Sequence, residues 1–185
     1  MNHTGKNLEP SSIQRAMAEY RSGDYEAALL SLAETQVSEE DYLELAYVLG
    51  LCHVRLQRWD EALLYLEQVV TSGMEGPRVL QCRQTLAYVY ALTGRAKLAE
   101  YELKKLVEAG TETPQVYATL GYAAWSQGRL EDGLSWYSKA LELDPENTNA
   151  LNGQGYLLAC SGRDLPKALT SCRKALDGKP NNPAY

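Results

Sequence analysis

The sequence predicts an all-α repeat fold, a row of about five antiparallel pairs of short helices. Three observations predict it: segments of the chain align with one another at a spacing of 34 residues, glycines recur where the first helix of each pair must stop, and small residues recur at fixed places among bulky ones. The segments Leu80–Tyr88, Pro114–Tyr122 and Thr148–Tyr156 align without gaps, their starts 34 residues apart, and upstream copies start near Leu43 and Glu9, again 34 apart. Leu43 and Leu80 are 37 apart, which places three inserted residues in the turn from Gly73 to Pro77. The five copies, 9–42, 43–79, 80–113, 114–147 and 148–182, are expected to form one repeat domain, with 1–8 a disordered tail and 183–185 a short tail.

Each copy reads as two helices. In the first, Gly23 stops a helix and Asp24 can cap the next, which opens Tyr25-Glu26-Ala27-Ala28. In the second, Ser38 with Asp41 resembles a capping box, Gln57-Arg58 stands where the other copies have glycine, and Asp60 is a candidate cap. The third copy turns at Gly94 and the fourth at Gly128, after starting at Thr113-Pro114, a capping hydroxyl followed by a proline whose missing N–H costs nothing in a first turn. Asp144-Pro145 and Lys179-Pro180 end second helices, because proline restricts the residue before it. The fifth copy turns at Gly162 and carries one extra residue near Asp164-Leu165-Pro166.

With these residues in place the chain resembles the tetratricopeptide repeat family. The fourth copy carries the family's pattern as Tyr117, Leu120, Gly121, Ala124, Gly133, Tyr137, Ala140 and Pro145. The second has Leu49, Gly50, His53, Ala62, Leu66 and Val69, and the third Leu86, Ala87, Tyr90, Ala99, Leu103 and Leu106. The fifth has Leu151, Gln154, Gly155, Leu158, Ala168, Cys172, Ala175 and Pro180, while the first matches only at Ala16 and across Gly23–Ala28. The resemblance implies a right-handed α-solenoid. Ala16, Gly50, Ala87, Gly121 and Gly155 would let paired helices approach, and bulky residues would fill the space between them. Gly133 replaces the usual alanine, at a cost of roughly 1 kcal/mol in an exposed helix interior, and a tighter helix crossing there is the expected reason.

The chemistry the sequence lacks narrows the function. No set of titratable residues converges as catalysis requires, so no enzyme is expected and no catalytic residue is assigned. Cys52 and His53 are adjacent in a helix, about 100° apart, and cannot form a nucleophile–base pair; His53 holds a packing position and reads as an interior histidine. Gly153-Gln154-Gly155 lacks the strand and third glycine of a phosphate loop, and Asn2-His3-Thr4 is a weak glycosylation match. Cys52, Cys82, Cys160 and Cys172 are too scattered for a zinc site and read as free thiols, so no metal or cofactor is expected. A net charge of −6 without a basic stripe argues against nucleic acid. Without a secretory leader or a long apolar run, no membrane insertion is expected and the cytoplasm is the expected location.

The resemblance implies that the first helix of each repeat lines a concave groove where partner polypeptides lie. One groove position is then Met17, Leu51, Tyr88, Tyr122 and Tyr156, with Tyr20, Tyr47 and Trp125 close by. These aromatics either pack against neighbouring helices or form a recognition surface, and tyrosine suits both. A family subgroup clamps acidic C-terminal peptides with Lys, Asn and Arg at groove positions. Here those positions hold Ile13, Met17, Val48, Gln81 and Thr85, and shifting by one or two repeats restores no clamp. The expected function is a scaffold, adaptor or chaperone-like holder that binds an apolar or aromatic segment of a protein partner through Tyr88, Tyr122, Tyr156, Tyr47, Leu51, Trp125 and Tyr20. The alternative is self-association, or a fragment of a longer repeat array. Residues 1–79 carry 6 basic and 13 acidic groups, a net −7, and 148–185 carry 5 and 2, a net +3. Leu169, Cys172 and Leu176 of the last helix could then meet the acidic first repeats of another copy in a homo-oligomer.

Overall fold

The computed structural model describes residues 11–33 and 41–180, so the expected tails and Ser38 lie outside the described residues. Among the described residues all regular structure is α-helical, in ten helices and no strand. They are α1 (Ser12–Ser22), α2 (Tyr25–Ala33), α3 (Tyr42–Arg55), α4 (Trp59–Thr71), α5 (Pro77–Leu92), α6 (Ala96–Glu108), α7 (Pro114–Ser126), α8 (Leu130–Leu143), α9 (Thr148–Cys160) and α10 (Leu165–Gly178). Successive helices pack in pairs, α1 on α2, α3 on α4, α7 on α8 and α9 on α10. The contacts gather into two compact units, Met1–Cys82 and Arg83–Tyr185.

In the first unit, α1 starts at a capping box: Ser11 accepts from the Gln14 N–H at 3.3 Å, and the Gln14 side chain accepts from the Ser11 N–H at 3.1 Å. Asp24 caps α2 through the Ala27 N–H at 3.0 Å. Asp60 does not cap α4, because the helix begins two residues earlier than the acid requires, with Arg58 at the cap and Asp60 inside the first turn, where its charge faces the positive end of the helix dipole. Gln57 takes the left-handed φ of 57° that glycine takes in the other copies. The reason is the closing bond of the turn. Arg58 N–H donates to the His53 carbonyl at 2.9 Å, just as Arg129 N–H donates to Ala124 after Gly128 and Arg163 N–H to Leu158 after Gly162. Ala46, Val48, Cys52, Ala62 and Leu66 of α3 and α4 are buried, and His53 stacks on Tyr65 with ring centroids 5.6 Å apart.

The three inserted residues do not lengthen a turn. The connection from α4 to α5, residues 72–76, is five residues long, the same length as that from α6 to α7, residues 109–113. The insertion instead extends α5 at its N-terminus, to 16 residues against 13 in α7 and α9. Pro77 is at home in a first turn, and Arg78 in the added turn pairs with Glu44 at 3.0 Å.

The second unit buries Leu86, Leu103, Leu106, Leu120 and Leu157. Thr113 accepts from the Val116 N–H at 3.3 Å and starts α7; α8 and α10 stop before Pro145 and Pro180 as expected. Asp164 absorbs the extra residue of the fifth copy at φ 41° and caps α10 through the Lys167 N–H at 3.1 Å. A Cβ on Gly133 would lie 3.0 Å from Leu157 Cδ1 and 3.2 Å from the Gly121 carbonyl oxygen, so a close crossing of α8 over α7 accounts for this glycine.

Arginines just after the turns tie neighbouring copies together within each unit. Arg58 pairs with Glu26 at 2.6 Å, and in the second unit Arg129 pairs with Glu100 and Arg163 with Glu131. The Arg58 and Arg163 pairs are exposed and contribute little. Glu100 is different: its side chain is mostly buried and also takes bonds from Lys104 at 2.8 Å and Gln127 at 2.9 Å. Burial alone would raise its carboxyl, but these donors outweigh it and hold the group below the usual value.

Candidate binding cleft

Residues of four helices, all within the second unit, line one shared opening. The result is a cleft of about 460 Å³. Helix α5 supplies Tyr88, Ala91 and Leu92; α7 supplies Ala118, Thr119, Tyr122 and Trp125; α9 supplies Asn149, Asn152, Gly153, Tyr156 and Leu157. Tyr137 alone comes from α8. No lining residue is charged.

The 34-residue spacing brings Tyr88, Tyr122 and Tyr156 to the same opening, where they are 50%, 40% and 48% exposed. Trp125 stands between two of them, 5.7 Å from the Tyr122 ring in a tilted contact and 5.3 Å from Tyr156 edge-on. Such contacts hold aromatic rings in place while leaving their other faces open. The packing reading of these residues therefore describes real contacts here, and each of the three tyrosines still keeps exposed surface. The Cys160 side chain one turn on raises the Tyr156 hydroxyl above the ordinary phenol value.

Tyr137 was legible only as a residue of the repeat pattern, and the structure gives it a second place. Its ring fits a slot between two glycines. A Cβ on Gly121 would lie 2.8 Å from its ring carbons, and one on Gly153 would lie 2.2 Å from Cζ and 2.5 Å from the hydroxyl oxygen. The side chain is only 4% exposed. The sequence signal was the aromatic slot of the second helix, facing a glycine in α9 where the third and fourth copies have threonines, Thr85 and Thr119.

The other residues expected at the site lie in the first unit, and two of them are not surface. Tyr47 and Leu51 are 7% and 5% exposed, and the Tyr47 hydroxyl donates to Gln81 Oε1 at 2.7 Å. As placed, they offer little area to a partner. Tyr20 is half-buried beside Tyr25, and its hydroxyl accepts from Arg55 Nε at 3.1 Å. On α10, Leu169 and Leu176 are exposed, whereas Cys172 is half-buried with its sulfur against Gly155. Burial pushes the thiols of Cys52 and Cys82 up to about 11 and about 12, so both stay protonated at neutral pH. Among the described residues no group of three or more His, Cys, Asp or Glu is placed to hold a metal ion, and no helix is long and apolar enough to cross a membrane.

Comparison with known proteins agrees with the repeat. The family profile described as tetratricopeptide repeat matches residues 13–77 and 118–183. The chain belongs to the tetratricopeptide repeat family. No curated protein matches the sequence. Solved structures do. Residues 41 to the end of MamA from Desulfovibrio magneticus RS-1 superpose with a TM-score of 0.77 at 22% identity, over 95% of this chain and 99% of that one. YrrB, described as a TPR protein with an unusual peptide-binding site, gives 0.74 at 23% identity, over 97% of this chain and 91% of YrrB. MamA MSR-1 gives 0.74 at 21%, over 91% and 95%. At these identities the likeness shows a shared tetratricopeptide fold and nothing about ligands.

Proposed function

We propose that this tetratricopeptide repeat protein is a non-catalytic scaffold or adaptor that holds an apolar or aromatic segment of a partner polypeptide in the cleft of its second unit. One observation supports this above all: Tyr88, Tyr122, Tyr156 and Trp125 surround a single cleft with no charged side chain in its lining. Tyr and Trp dominate binding hot spots because they present large, rigid, amphipathic area. The site reported for YrrB adds support from a protein of the same fold. An uncharged lining suits neither nucleic acid nor an acidic tail, and it implies affinity that varies little with salt. The cytoplasm is the setting this reading assumes.

Peptides selected from a displayed random library against the full chain should carry aromatic or large apolar anchors and keep their affinity from low to moderate salt. The triple variant Tyr88→Ala, Tyr122→Ala, Tyr156→Ala should lose them while remaining helical by circular dichroism. A folded triple variant that binds as well as wild type removes the cleft from the account.

A second reading is favoured by α10, where Leu165, Leu169 and Leu176 are exposed beside Lys167, Arg173 and Lys174. That face suits a homo-oligomeric contact with an acidic surface such as the first unit of another copy. Light scattering at micromolar concentration decides it, a monomer ruling it out.

A further inference from the structure

Most of the cleft lining is apolar or aromatic, and its polar side chains include Thr119, Asn149, Asn152 and the hydroxyl-bearing Tyr137. Tyr137 is 4% exposed, lines the cleft, and has no hydrogen-bond partner for its hydroxyl among the described residues. That oxygen lies at the Gly153 wall, within 2.5 Å of where a Cβ would stand. We propose that the cleft selects a tyrosine side chain of its partner, seated with its phenolic oxygen accepting a hydrogen bond from Tyr137. This rests on the cleft being the binding site.

The argument is one of exclusion. An occupant that closes the mouth strips water from the Tyr137 hydroxyl, and a phenylalanine or leucine then leaves that donor buried and unmatched. A carboxylate could accept the bond, but it would shed its hydration into walls that offer no cation. Glutamine could accept it too, with far less apolar area to set against Tyr88, Tyr122, Trp125 and Tyr156. Tyrosine alone among the uncharged side chains joins a large aromatic body to an oxygen at its tip. Burial first, and the neighbouring Tyr122 second, push the Tyr137 hydroxyl further above its ordinary value, so it keeps its proton across the physiological range.

The test is a titration of the isotope-labelled full chain with N-acetyl-tyrosinamide and with N-acetyl-phenylalaninamide, followed by amide and indole N–H shifts. Both probes should move the signals of Tyr122, Gly153 and the Trp125 indole. The tyrosine probe should bind about tenfold tighter, the equivalent of one hydrogen bond. Tyr137→Phe, which keeps the ring, should bring the two probes level. If that variant does not fold, the 4-fluorophenylalanine amide on the wild type replaces it: it has nearly the shape of tyrosine without a useful acceptor, and should bind like the phenylalanine probe. Equal binding of both probes by the wild type, a preference that survives Tyr137→Phe, or a fluoro probe as tight as the tyrosine one overturns the tyrosine selection and leaves the cleft standing. If neither probe moves these signals, the cleft reading falls, and this inference with it.

Discussion

Two tyrosines, one in each unit, are almost equally hidden and very differently served. Tyr47 on α3 is 7% exposed, and its hydroxyl donates to Gln81 at 2.7 Å. Tyr137 on α8 is 4% exposed, and no described residue takes its proton. The contrast extends to a shared repeat position, where Leu51 in the first unit is enclosed while Tyr88, Tyr122 and Tyr156 in the second reach into the open. A leucine is short enough for its neighbours to cover. A tyrosine at the same place extends beyond the packed layer and takes a wet tip with it. The first unit thus places this stripe in its interior, and the second keeps it at the surface around the Tyr137 cleft.

The sharpest way to break this contrast is to truncate the shared position in both units. Leu51→Ala should cost about 2–4 kcal/mol of stability, as for a buried leucine, whereas Tyr122→Ala should cost about 1 kcal/mol or less. Amide exchange during urea unfolding reads the loss in each unit separately, and equal losses would undo the distinction. A smaller effect concerns the turns. Gln57→Gly should stabilise the first unit by about 1 kcal/mol, because a left-handed φ is free of Cβ strain only for glycine. A thermal melt that does not rise, or falls, argues that the Gln57 side chain earns its place by contacts.

The smallest effect is one of pH. His53 is the only histidine among the described residues, so the second unit has none there. Burial lowers its proton affinity, partly offset by Glu61, and leaves its Nδ1 without a partner. The folded state therefore favours the neutral ring. Its contribution to stability is complete above the unfolded value near about 6.5 and is lost as pH falls from there toward the depressed folded value. Protection of α3 and α4 amides should decline across that window, and His53→Gln should flatten the decline. An identical decline in the second unit would point to some other group.

Spacing made the helix pairs, their turns and the convergence of Tyr88, Tyr122 and Tyr156 legible, because a 34-residue period carries each first-helix position onto its equivalent. It did not reveal that Leu51 and Tyr47 are covered, since burial at a repeat position depends on the sizes of side chains from neighbouring helices. The 37-residue interval announced an insertion but not its form; a proline at position 77 can end a turn or open a helix, and here it opens one. Tyr137 was hidden by its own conformity. It fits the repeat pattern as a packing residue, and only Gly153, whose missing side chain makes room for the hydroxyl end, gives it access to the cleft.

That arrangement divides labour between helices. Tyr137 of α8 is seated against two glycines, while the other lining side chains come from α5, α7 or α9. Positions 88 and 156 can therefore be randomised in a library while Gly121 and Gly153 keep the slot that seats Tyr137. New preferences for the flanking sequence could then be bred around an unchanged Tyr137.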